Sequence, residues 1–149
     1  MLNYLKRKGN LIHKTAVVNW KYIEIGKNNI IGPYTVIGNV AQHPKQKSSG
    51  KIIIGNNNTF RENVTVNTGT QGGGLFTRIQ DNCLFMVGSH IAHDCIIGSN
   101  VILANNATLA GHVEIDNNSI IGGIPAKKIG EVILKEDGTL ELSYFLQNE

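Results

Sequence analysis

Along residues 79–121 a large apolar side chain returns at every sixth position: Ile79, Phe85, Ile91, Ile97, Leu103, Leu109, Ile115 and Ile121. Four places after each of the first seven comes a small or β-branched residue: Cys83, Ser89, Cys95, Val101, Ala107, Val113 and Ser119. A helix needs a period near 3.6 and a strand a period of 2. Six is a multiple of two, so the chain is extended, and the Gly and Asn between ladder residues turn it once per repeat. Three repeats close a triangular coil of about 18 residues, with ladder residues stacked toward the axis.

The expected fold is therefore all-β: a left-handed parallel β-helix of the hexapeptide-repeat type. The same ladder runs upstream through Ile25, Ile31 and Ile37, and through Ile54, Phe60 and Val66, while Ile12 and Val18 fit one residue out of register. Two breaks interrupt it, at about 39–51 and 67–78, and loops that leave a solenoid usually serve its binding face. After Ile121 the pattern stops at Gly122-Gly123-Ile124-Pro125-Ala126-Lys127-Lys128. Alternating segments Glu131–Lys135 and Thr139–Tyr144 then flank Asp137-Gly138, which predicts a β-hairpin. The division expected is a β-helix over 1–126 and a C-terminal extension over 127–149.

Composition agrees with tight turns around small side chains: 17 Gly, 3 Pro and only 6% aromatic residues. The net charge of +3 is mild and calls for no nucleic acid. Apolar runs are too short to span a bilayer, and no apolar segment follows the basic N-terminus, so a cytoplasmic protein is expected. Cys83 and Cys95 form no CxxC pair and fall at small inward positions, which reads as core filling.

A solenoid core is filled, so chemistry lies on the outer face. His90, His93 and His112 cluster around the most regular coils. His93 and His112 are about one coil apart, which brings both to one edge, and Asp94 adjoins His93. Histidine is suited to proton transfer near neutral pH. A zinc site from these histidines ranks low, because no HxH or HExxH pattern is present. No metal is expected.

Four stretches carry a specific resemblance: Arg61–Thr70, Gln71–Gly74, Ser89–Cys95 (SHIAHDC) and Leu103–Val113 (LANNATLAGHV). Over roughly residues 10–124 the chain resembles the UDP-N-acetylglucosamine O-acyltransferases of lipid A biosynthesis. The resemblance implies a homotrimer with active sites in clefts between subunits. It implies transfer of an acyl group from a thioester, acyl-ACP or acyl-CoA, to a nucleotide-linked sugar, with no tightly bound cofactor. His93 then matches the general base, Asp94 the group that orients it, and Gly111 N–H the oxyanion donor. His90 and His112 match residues lining the substrate clefts, as do Lys45, Asn67, Gln71 and Gly73 in or beside the two loops.

The chain also departs from that pattern. His43 stands where the family has an Asp, and Asn67 where it has a His. The family continues through further coils into a helical domain that helps hold the carrier protein. Here Gly123-Ile124-Pro125-Ala126-Lys127 follows instead, resembling the ending of hexapeptide acetyltransferases that use acetyl-CoA. There the segment lies along the coenzyme, which makes Pro125, Ala126 and Lys127 candidate donor-binding residues. An acetyl-CoA-dependent amino-sugar N-acetyltransferase and a catalytically silent trimeric binding protein are the alternative readings.

Overall fold

The computed structural model describes residues 2–43, 45 and 50–145. The chain enters through an antiparallel hairpin, β1 (Tyr4–Arg7) and β2 (Asn10–His13). Its turn residues Lys8 and Gly9 have φ of 49 and 77, the paired positive angles that match the twist of a hairpin. With β3 (Val17–Val18) and β4 (Ile23–Ile25), β2 makes the first coil. The second coil is β5 (Ile30–Ile31), β6 (Val36–Asn39) and β7 (Lys51–Ile54), and the third is β8 (Thr59–Phe60), β9 (Thr65–Asn67) and β10 (Phe76–Ile79). The fourth is β11 (Leu84–Phe85), β12 (His90–Ile91) and β13 (Ile96–Ile97), and the fifth is β14 (Ile102–Leu103), β15 (Thr108–Leu109) and β16 (Glu114–Ile115). β17 (Ser119–Gly122) opens a sixth, and β18 (Lys127–Leu134) and β19 (Leu140–Tyr144) form the C-terminal hairpin.

Coil-to-coil pairing builds three parallel faces, and the solenoid is a left-handed β-helix. The first face runs β1-β2-β5-β8-β11-β14-β17-β18-β19, closed at both ends by an antiparallel hairpin. The second runs β3-β6-β9-β12-β15 and the third β4-β7-β10-β13-β16. Ladder residues stack in register up each face, as in Ile31↔Phe60, Phe85↔Leu103 and Ile79↔Ile97. Ile31, Ile37, Phe60, Phe85, Ile91, Ile97 and Leu103 are wholly buried, and the Phe60 and Phe85 rings stack at 4.8 Å. Each such side chain contributes about 1.5–3 kcal/mol by leaving water. Cys83 and Cys95 are buried in the same core.

The corners show why Asn is so frequent. One residue per turn takes a left-handed φ near +60°, and Asn28, Asn57, Asn82, Asn100 and Asn118 fill that place along one edge. Asn tolerates this conformation because its short side chain bonds locally. A second asparagine set faces inward. Asn10, Asn29 and Asn58 are buried, and each Oδ1 accepts the backbone N–H of the next rung, Asn29, Asn58 and Cys83.

Three details depart from the sequence pattern. Ile12 and Val18 are not out of register: they pair with Ile31 and Ile37. The extra residue lies after them, absorbed by a 3-10 turn at Trp20–Tyr22. The second break is shorter than expected, because Phe76–Ile79 is already strand. β18 begins at Lys127 rather than Glu131, since its first residues pair antiparallel with β17 before meeting β19. Pro44 and residues 46–49 of the first loop, and residues 146–149 of the extension, lie outside the described residues.

Candidate active site at one edge of the solenoid

The edge between the second and third faces puts Asp94 and His112 in the left-handed turn position, with φ of 60 and 63. Asp and His, like Asn, are enriched in this conformation, so the fold admits chemical groups where the edge between the third and first faces carries Asn. The two turns are bonded across coils, His112 N–H donating to His93 O at 3.0 Å.

Asp94 is buried and fully engaged. Thr70 Oγ1 donates to its Oδ2 at 2.6 Å and Thr70 N–H to its Oδ1 at 2.7 Å. Thr77 Oγ1 accepts the Asp94 N–H at 2.9 Å, which fixes the backbone under the carboxylate. Burial pushes the carboxyl pKa up, but the Thr70 and His93 hydrogen bonds outweigh it and hold the group below the ordinary value of 3.8. An ionised carboxylate only accepts, so the His93 Nδ1, 2.8 Å from Oδ2, carries the proton. His93 Nε2 is then the basic atom.

Two glycines make room for this arrangement. A Cβ on Gly111 would meet His93 Cε1 at 2.5 Å and Nε2 at 2.6 Å, so the backbone of residue 111 lies directly against the basic edge of the ring. Among the described residues Gly111 N–H has no backbone partner. A Cβ on Gly73 would overlap the Asp94 carboxylate. Only glycine at these two places lets the loop and the next coil close on the pair.

The structure gathers His93, Asp94, Gly111, His112 and Gly73. The His112 ring packs edge-on to His93 at 5.1 Å, with its Nε2 3.8 Å from Asp94 Oδ2, too far for a hydrogen bond. His43 joins from the first loop, its ring 5.7 Å from His93, and its Nδ1 accepts the N–H of the exposed Lys45 at 3.3 Å. Gln71 is exposed on the short 3-10 turn Gln71–Gly73. His90 is engaged elsewhere: its Nδ1 lies 2.7 Å from Thr65 Oγ1, and burial lowers its pKa. Asn67 is buried under the first loop, its Nδ2 donating to Val40 O at 2.8 Å. Pro125 and Ala126 line an apolar groove with Thr108, Leu109, Ala110, Val113 and Ile124, which reaches Ala110, the residue preceding Gly111. Lys127 is exposed just past it.

His93, Asp94 and His112 offer ligand atoms within 4.8 Å of one another, a spacing a metal ion could bridge. Asp94 Oδ2 already accepts from Thr70 and His93, which is the donor set of an oriented base rather than of an open metal site. Sequence reasoning missed Thr70 and Thr77 as partners of Asp94. The only signal was a pair of Thr residues flanking the Gly-rich loop.

The class the fold and site define is a left-handed β-helix whose six-residue solenoid raises an imidazole–carboxylate pair at one edge. Residues 76–111 match the family described as bacterial transferase hexapeptide (six repeats). More narrowly, the chain resembles UDP-N-acetylglucosamine O-acyltransferases. It is 51% identical over 102 residues to the acyl-[acyl-carrier-protein]–UDP-N-acetylglucosamine O-acyltransferase of Campylobacter concisus, a match covering 67% of this chain and 39% of that one. The enzyme of the same name from Aliarcobacter butzleri is 52% identical over 101 residues, again 67% and 39% of the two chains. The solved UDP-N-acetylglucosamine acyltransferase from Campylobacter jejuni superposes with a TM-score of 0.64 at 34% identity, covering 79% of this chain and 57% of that one. The matched region thus spans about two fifths of the length of these curated relatives.

Proposed function

We propose that the protein is an acyltransferase that moves an acyl group from a thioester, acyl-ACP or acyl-CoA, to a hydroxyl or amine of a nucleotide-linked sugar. The observation that carries this reading is the chain from Thr70 through Asp94 to His93, ending against Gly111. Asp94 holds the proton on His93 Nδ1, and Nε2 takes the proton of the acceptor as it attacks the thioester carbonyl. Gly111 N–H donates to the oxygen on which negative charge develops, and one such donor is worth about 3 kcal/mol of barrier. His93 then returns the proton to the departing thiolate. Balance needs no covalent enzyme intermediate and no redox partner. His112 and His43 flank the base where the acceptor would lie, and Lys45, Gln71 and the backbone around Gly73 border the same opening.

A homotrimer is part of this reading, and the three faces support it by their charge. The outward column of the third face is Glu24, Ile53, Arg78, Ile96 and Glu114, in which charged and apolar residues alternate. The corresponding column on the first face is Lys6, Leu11, Ile30, Thr59, Leu84 and Ile102, and on the second Val17, Val36, Thr65, His90 and Thr108. Two faces whose coil columns carry no Asp, Glu, Lys or Arg between Leu11 and Ile102, and between Val17 and Thr108, suit packing of one copy against the next. Among the described residues no helix is long and apolar enough to cross a membrane. We place the activity in the cytoplasm, where the thioester donors are made.

The groove beside Gly111 favours a second reading within the same chemistry. Its apolar lining by Leu109, Ala110, Ile124, Pro125 and Ala126, with Lys127 beyond, suits a pantetheine arm and a phosphate. An acetyl-CoA-dependent amino-sugar N-acetyltransferase would use it in that way. A panel of acyl-ACP, acyl-CoA and acetyl-CoA against several UDP-sugars and free amino sugars separates the two. Thioester consumption that His93→Ala abolishes supports the transferase. No consumption by the wild type across the panel overturns it in favour of a silent binding protein.

A further inference from the structure

Paired residues of neighbouring strands lie on the same side of a sheet. The outward column of the first face can therefore be followed from Lys6 through the pairings Leu11↔Ile30↔Thr59↔Leu84↔Ile102↔Ile120. It continues past the last coil as Ile120↔Gly130↔Tyr144. On the same side of the hairpin stand Val132↔Leu142 and Leu134↔Leu140. Val132 is buried, yet Leu134, Leu140, Leu142 and Tyr144 are 63%, 59%, 43% and 56% exposed. The opposite side carries the ion pairs Lys128–Glu131 and Lys135–Glu141 beside Ile133. The hairpin is thus amphipathic, and its apolar side continues the outer column of the first face, which from Leu11 onward carries no charged residue.

A second apolar surface stands at the same height on another face. The segment Gly123–Ala126 runs along β15, with Thr108 N–H donating to Gly123 O at 3.3 Å and Ala126 N–H to Thr108 O at 3.4 Å. This makes it the next rung of the second face, level with β17. Ile124 projects there, 73% exposed, at the rim of the groove that reaches Ala110. One copy therefore offers an uncovered apolar arm on its first face, and an uncovered apolar groove on its second face at nearly the same level. Both surfaces lack charge. Packing the first face of one copy on the second face of the next, with axes parallel, brings arm and groove together.

We infer that the occupant of the hairpin's apolar side is a second copy of this chain. Leu134, Leu140, Leu142 and Tyr144 of one copy cover the groove of Leu109, Ala110, Val113, Ile124 and Pro125 of the next, and wall the channel that leads a donor to Gly111. The inference rests on the homotrimer of the reading above and gives each site a wall from its neighbour.

The test uses disulfide trapping, which does not depend on turnover. Cys83 and Cys95 are 2% and 0% exposed, so introduced thiols are the accessible ones. Leu142→Cys with Ile124→Cys in one chain is oxidised, and compared with each single variant on non-reducing gels. Covalent dimers and trimers from the double variant alone are expected. Failure of the double variant to cross-link, or a bond closed within one chain, overturns the inference. As a second measurement, Leu140→Glu with Leu142→Glu keeps the β-sheet circular dichroism and shifts the light-scattering mass toward monomer. An unchanged mass and an unchanged donor KM overturn it as well. Trapped trimers without thioester consumption would sink the transferase reading and leave this one standing.

Discussion

His93 Nδ1 and Asp94 Oδ2 stand 2.8 Å apart, although the two residues are adjacent in sequence and point out of the same turn. The left-handed φ of Asp94 folds its side chain back beneath the ring of its neighbour. The pair is thus assembled by one corner of backbone, and Thr70 arrives from the loop above to lock it.

Replacing His93 by Ala removes the proposed base. The rate of thioester consumption is expected to fall about 10²–10⁴-fold, the usual worth of a positioned base. Thermal denaturation should show a folded solenoid. An unchanged rate in a stopped-time assay would rule out the His93 mechanism.

Thr70→Val deletes one of the bonds that hold the Asp94 pKa down. A carboxylate with a depressed folded pKa adds stability above its unfolded value of 3.8, and that stability is lost as pH falls below it. The gap in melting temperature between wild type and variant should be widest above about pH 4 and close on acidification. A gap that stays constant down to pH 2 would show that Thr70 acts by packing alone.

Gly111→Ala places a methyl group on the His93 ring. Activity should drop about 10²–10³-fold, comparable with loss of an oxyanion donor, while the core remains intact. Rate measurement beside circular dichroism checks it, and wild-type turnover would refute the close approach.

Asn29 donates from Nδ2 to Asn10 Oδ1 and Gly55 O, and its Oδ1 accepts the Asn58 N–H. Asn29→Leu strands these buried partners, each worth about 1–3 kcal/mol when left unsatisfied. The midpoint of urea unfolding should fall clearly below that of wild type.

Burial raises both cysteine thiols to a pKa of about 11. At pH 8 the native protein should react with thiol reagents far more slowly than the urea-unfolded chain. Equal rates would mean that the core opens at that edge.

Much of this was legible along the chain, and the reason is the ladder. A period of six repeated over eight residues leaves a parallel coil as the solution, and it places His93 and His112 on one edge. Asn10, Asn29 and Asn58 were not legible as an inward stack, because asparagine beside glycine reads as turn chemistry. Thr70 was invisible for another reason: it reaches Asp94 from across a loop, a contact that no local spacing encodes. His90 shares the cluster in sequence but is engaged with Thr65, since it opens strand β12 while His93 and His112 sit in turns.

The turn position that carries Asp94 and His112 has a counterpart one edge away. Asn100 and Asn118 hold φ of 57 and 59, and Asn100 Nδ2 already donates to Asn118 Oδ1 at 2.9 Å. The backbone there is shaped for an imidazole followed by an acid, but Ser99 and Asn100 stand in those places. The solenoid is in this sense a frame with repeated sockets, of which one is filled for proton transfer. Ser99→His with Asn100→Asp would place the same neighbouring pair in another without bending the chain.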